Sequence, residues 1–139
     1  MVFVGGGVAI LTPMGVDKAG TQAVPASTTT KLTGWATRSG YPETVIDNND
    51  LVVNGPGNIT PTLKITLTSN APAAIPFRIL KGGAQIASGN IPFNTTTAQI
   101  TAPSTPVVPG DRISADISPG LGASVTIQSG PANTFMFWD

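Results

Sequence analysis

A few groups of side chains in this 139-residue sequence are of types that could do chemistry. Asp47 and Asp50 bracket Asn48 and Asn49, offering the oxygen ligands that suit calcium. The stretch lacks the glycine and terminal glutamate of a helix-loop-helix calcium site, and reads as an Asn-rich turn capped by side-chain to backbone bonds. Two carboxylate pairs, Asp111 with Asp116 and Glu43 with Asp47, are of the kind a glycosidase uses. A separation of five residues puts Asp111 and Asp116 on opposite faces of any regular strand, and nothing marks the other two as partners. Serine and threonine are plentiful, but Lys31, Lys64 and Lys81 could activate them only if buried and deprotonated. Gly5 to Gly7 follow an apolar run, yet GGGVAI lacks the third glycine of a dinucleotide fingerprint, and no Lys-Ser or Lys-Thr follows as in a phosphate-binding loop. Trp35, Tyr41, Phe77, Phe93, Phe135, Phe137 and Trp138 could stack on sugars or bases, but no basic residues are interleaved with them. Packing in a core or an interface is their expected use.

The composition removes further chemistry. With no histidine and no cysteine, the chain cannot build a Ser-His-Asp or Cys-His arrangement, a thiolate or imidazole zinc site, or a disulfide. No cofactor is expected, and cysteine usage does not fix the redox compartment. Seven Lys or Arg balance seven Asp or Glu, so there is no basic stripe for nucleic acid. The apolar start, Met1 to Leu11, has no basic n-region and is too short to span a bilayer, so no membrane partner is expected. A 40% hydrophobic share with only 10% charged residues suits a component of an assembly better than a freely diffusing monomer.

These residues need elements to hold them, and the elements read as strands. Sixteen Gly and 13 Pro among Thr, Val and Ile argue against a helical bundle. Residues 1–30, broken by Pro13, Gly15, Gly20 and Pro25, are expected to form an extended N-terminal attachment arm, with Phe3, Val4, Ile10 and Leu11 as its anchors on a partner surface. Residues 31–139 form the domain. KLTGWAT (31–37) reads as a strand, and the loop DNND separates the short runs 44–46 and 51–53. TLKITLTS (62–69) alternates, with Leu63, Ile65 and Leu67 facing in. Gly82-Gly83 joins IPFRILK to AQIASG as a hairpin. Residues 95–101 are a further strand, and Pro103, Pro106 and Pro109 make the next stretch a loop or edge. DRISADIS (111–118) turns Ile113 and Ile117 inward and Arg112, Ser114 and Asp116 outward, and ASVTIQ returns Val125 and Ile127 to the core. The terminal FMFW is apolar on both faces and must be covered on both. Phe135 and Phe137 are expected in the core, Met136 and Trp138 in a subunit contact. Eight or nine short strands without a helix predict an all-β, antiparallel β-sandwich of jelly-roll type.

VVPGDRISADI (107–117), a Gly-rich turn and SVTIQSGPANTFMFWD (124–139) resemble the end of the tumour-necrosis-factor and complement-C1q superfamily of trimeric jelly rolls. KLTGWATRSGYPETVIDNNDLVVNG (31–55) and FRILKGGAQIASG (77–89) are similar to small all-strand domains of structural proteins from tailed phages of actinobacteria. The resemblance implies a homotrimer and a non-enzymatic virion protein. It further implies a capsid decoration protein on the capsid surface, bound to a major capsid protein, or a minor tail protein bound to a tail protein. A host-surface glycan is the alternative partner. Trp35 or Tyr41 lying exposed beside Asp or Asn would signal it.

Overall fold

The computed structural model describes residues 9–139, and they are all strand and connection. In chain order the strands are β1 (Met14–Lys18), β2 (Gln22–Val24), β3 (Thr30–Lys31), β4 (Trp35–Thr37) and β5 (Ile46–Asp47). Then come β6 (Asp50–Val52), β7 (Gly57–Ile59), β8 (Thr62–Thr66), β9 (Ile75–Lys81) and β10 (Ala84–Ile91). The last five are β11 (Thr97–Thr101), β12 (Thr105–Val107), β13 (Arg112–Ile117), β14 (Val125–Ile127) and β15 (Phe135–Trp138).

Two antiparallel sheets carry the fold. The first runs β11-β8-β15-β1-β4 and the second β10-β9-β13-β6-β5, with β3 also paired to β13. Leu63, Ile65, Met14, Val16, Met136 and Trp138 from the first sheet pack in one cluster with Phe77, Ile79, Ile113 and Ile117 from the second. This is the antiparallel sandwich that the alternation predicts. Leu67 and Ile127, joined by an isolated bridge, are in the same core, and Val125 packs against it half-buried.

The strand count is higher than eight or nine because glycines and turns cut the chain into two- and three-residue pieces. The 31–37 stretch, expected as one strand, is two. Gly34, at φ +71°, passes the chain from β3 in the second sheet to β4 in the first, and Leu32 is buried between them. The Pro-rich stretch still pairs as an edge, β12 against β7.

The arm also needs correction. Phe3 and Val4 lie outside the described residues, but β1 sits inside the first sheet, between β15 and β4, and β2 pairs with β14. Residues 14–24 therefore belong to the domain, because Met14 and Val16 fill the core and the backbone of β1 is paired on both sides. Ile10 is exposed. Leu11 packs half-buried against the core over Gly55 and Gly57, where the Thr12 amide donates to Asn54 Oδ1.

Candidate functional site

The faces of β15 are the reverse of those expected. Met136 and Trp138 are buried in the core, and Trp138 Nε1 donates to the Thr12 carbonyl at 3.2 Å. Phe135 and Phe137 point to the outer face of the first sheet, where Phe135 is nonetheless buried, at 9% exposure, and Phe137 is half-exposed. The reason is register: Met136 pairs with Val16 and Trp138 with Met14, so the two Phe sit beside Asp17 and Gly15. Met136 and Trp138 are thus core residues, and the pair that faces outward is Phe135 and Phe137.

That outer face carries a row of three rings. Tyr41 is 5.9 Å from Phe137 and Phe137 is 5.8 Å from Phe135, centroid to centroid, all tilted. Gly15 makes room for the row, since a Cβ there would stand 3.0 Å from the Tyr41 ring and 3.1 Å from Phe137 Cβ. The Tyr41 hydroxyl donates to Asp139 Oδ1 at 2.9 Å. Desolvation, and then the Asp139 carboxylate, raise the phenol above its usual pKa of 10.0. Arg38 lies 4.3 Å above the Phe135 ring and is fixed there by Asp17 and by the Pro131 carbonyl. Lys64, on the neighbouring β8, donates to the Ala132 carbonyl and lies 5.9 Å from the centroid of the same ring. The result is an aromatic strip with charged borders, partly exposed at Tyr41 and Phe137 and covered at Phe135.

The outer face of the second sheet holds a different arrangement. Arg112, Ser114 and Asp116 project from β13, as the alternation predicts, and β9 sets Leu80 beside Ser114 and Arg78 beside Asp116. Arg78 grips Asp116 with two bonds, of 2.9 and 2.5 Å. Asp50 accepts from Lys31 at 2.6 Å and from Arg112 at 3.0 Å, and Arg112 also pairs with Asp47. These carboxylates hold guanidinium Arg78 and Arg112 above their usual pKa. Asn48 and Asn49, at φ 49° and 63°, form the two-residue turn of the β5-β6 hairpin. The DNND oxygens considered for calcium are therefore committed elsewhere: both Asp to cations, Asn49 Oδ1 to the Gly34 amide and the Asn48 carbonyl to Lys31. Within this network lies an open hollow of about 540 Å³, lined in part by Ser114 and its neighbour across the strands, Leu80.

The remaining candidates are dispersed. Asp111 accepts from the Val108 amide and lies 3.8 Å from Lys81, and Asp116 is held by Arg78. Trp35 is buried on the inner face of the first sheet, opposite Lys18. Lys18 is itself 3% exposed, and its ammonium donates to the Thr33 carbonyl at 2.6 Å. Burial lowers its pKa from the usual 10.5.

No family model and no curated protein matches the sequence. Among solved structures, a tumour necrosis factor, Eiger from S. frugiperda, superposes with a TM-score of 0.67 over 92% of this chain and 90% of that one, at 10% identity. The likeness is one of fold. It joins the all-strand architecture to the jelly roll expected from the two-sheet pattern. Sequence reasoning missed the partners that build both outer faces: Arg38, Asp17 and Gly15 around the rings, Arg78 and Leu80 beside the hollow. The second pair was detectable, because aligning IPFRILK antiparallel to DRISADIS sets Arg78 beside Asp116.

Proposed function

We propose that the chain is a non-enzymatic virion structural protein, a capsid decoration protein that binds and stabilises the major capsid lattice as a homotrimer. The observation that carries this reading is the Tyr41-Phe137-Phe135 row on the outer face of the first sheet. Aromatic side chains bordered by ion pairs are the composition of an interface centre with a polar rim. In a closed three-fold assembly each chain would contribute the same strip, so one cluster of rings is used three times. The resemblance of residues 31–55 and 77–89 to tailed-phage structural domains supplies the virion setting. Carboxylates held by Arg or Lys leave poor candidates for a general base, in keeping with a structural role.

The test is sedimentation of the purified chain, free and mixed with undecorated capsids. Mass near three times the chain, or three-fold density on the lattice, supports the reading. A monomer that also fails to bind capsids overturns it. A minor tail or receptor-binding module is the second reading, favoured by the hollow on the opposite sheet.

A further inference from the structure

We propose that the hollow on the outer face of the second sheet is a binding site for a neutral carbohydrate; this rests on the second reading above and gives it a place and a ligand class. The two sheet faces are separate: the aromatic row lies outside the first sheet and the hollow outside the second, so an assembly built through the rings leaves the hollow free.

Three properties point to a sugar. The first is shape. Strands β3 and β6 both pair with the same edge of β13, β6 at Arg112 and Ile113 and β3 at Asp116 and Ile117. Ser114 lies between these two stretches and has only a small side chain, so space opens above it, flanked by Leu80 on β9. Gly82 and Gly83 form the near rim, where a Cβ on either would meet nothing within 4 Å. A volume of about 540 Å³ falls within the range of small-ligand sites.

The second is charge. Lys31 and Arg112 among the lining residues are balanced by Asp50 and Asp116. Such a site has no net field to draw a phosphate or a sulfated chain.

The third is hydrogen-bond chemistry. A carboxylate oxygen has room for a second donor after it has paired with a cation, guanidinium and ammonium groups donate, and a serine hydroxyl does both. Asp50, Asp116, Arg112 and Ser114 thus present acceptors and donors side by side, which suits adjacent ring hydroxyls. Leu80, 7% exposed, adds a small apolar edge against which ring C–H groups can rest. The ion pairs fix most of these groups in place before any ligand arrives, which lowers the ordering cost of binding.

The experiment titrates the full chain with cellotriose, maltotriose, mannotriose and chitotriose, with inorganic phosphate and a heparin hexasaccharide as anionic comparators. Calorimetry gives the affinity, and amide chemical shifts locate the site. We expect at least one neutral trisaccharide to bind with a Kd of about 1 mM or tighter, moving the amides of Leu80, Gly83 and Ser114. Ser114→Leu, which fills the hollow and leaves every ion pair intact, should weaken binding roughly tenfold or more with thermal unfolding unchanged. Ser114→Ala, which removes only the hydroxyl, should weaken it less. Absence of binding by all four trisaccharides, stronger binding of either anionic probe, or a folded Ser114→Leu chain that binds like the parent overturns the proposal. Because the titration uses the isolated chain, its failure leaves the capsid reading to be judged by sedimentation and lattice binding, and failure there leaves the titration standing.

Discussion

Gly15 and Tyr41 fit together on the outside of the first sheet, the glycine lacking the one carbon that would press 3.0 Å from the tyrosine ring. Its backbone is an ordinary strand conformation, paired to Phe137, so the requirement for glycine there is one of space. Gly15→Ala should force the ring outward by a few tenths of an ångström, and Gly15→Val further. Overpacking of this kind costs about 1–3 kcal/mol, which thermal unfolding of the isolated chain will show. The same variants should weaken self-association, read by sedimentation, because Tyr41 begins the aromatic row.

Trp138 and Phe137 are neighbours in sequence with opposite duties. Trp138 is buried in the core and Phe137 is half-exposed outside it. Trp138→Ala should therefore lower stability by about 3–5 kcal/mol through lost burial and a cavity, enough to unfold much of a domain this size. Phe137→Ala should leave the isolated chain folded with a smaller loss and shift the monomer-trimer equilibrium instead. Paired denaturation and sedimentation measurements separate the two. Equal stability losses with unaltered assembly would remove the aromatic row from the interface.

Lys18 gives the fold a pH signature. Its pKa is lowered by burial, so in the interval just below 10.5 the unfolded chain holds a proton that the native chain has released. Stability must then rise with pH across that interval. At lower pH both states are protonated and the cost of burying the ammonium is constant. Tyr41, with its pKa raised, acts in the opposite sense and lowers stability as pH climbs beyond 10.0. Lys18→Met should raise the urea midpoint at neutral pH and abolish the rise just below pH 10.5, leaving only the Tyr41 decline. A parent protein with a flat profile there would mean that Lys18 reaches water in solution.

Alternation made β8, β13 and the β9-β10 hairpin readable, because each has faces of different polarity. Ile113 and Ile117 could face only inward once Arg112 and Asp116 faced out. The same rule separates the two faces of FMFW without saying which is inside, since both are apolar. That choice is made by β1, where Met14 and Val16 face inward and Gly15 leaves the outer space to Tyr41. β1 was itself obscured: MGVDK shows little hydrophobic alternation, with Lys18 facing inward among apolar neighbours, and Pro13 and Gly20 suggest a loose segment. Strands of two or three residues such as β3 and β4 are too short to show a period at all. The hollow depends on strand order, and the sequence shows only the outward faces that line it.

The position of β1 also decides how the N-terminal attachment can be tested. A chain starting at Thr30 lacks a strand that is paired on both sides, along with Met14, Val16 and Val24 from the core. It should not fold, so any loss of capsid binding by that truncation would be uninformative. A chain starting at Ala9 removes Phe3 and Val4 and keeps Leu11 over Gly55 and Gly57. We expect it to match the parent in thermal unfolding and sedimentation while binding capsids more weakly, since burial of those side chains against a partner would contribute about 25 cal/mol per Å² of apolar area. Gly55→Ala is the complementary variant: a Cβ there would collide with the backbone of Ile10 and Leu11, displacing that segment without shortening the chain. It should expose the segment to limited proteolysis near Ile10. If the chain starting at Ala9 coats capsids with the parent's affinity and occupancy, attachment rests on the folded domain alone.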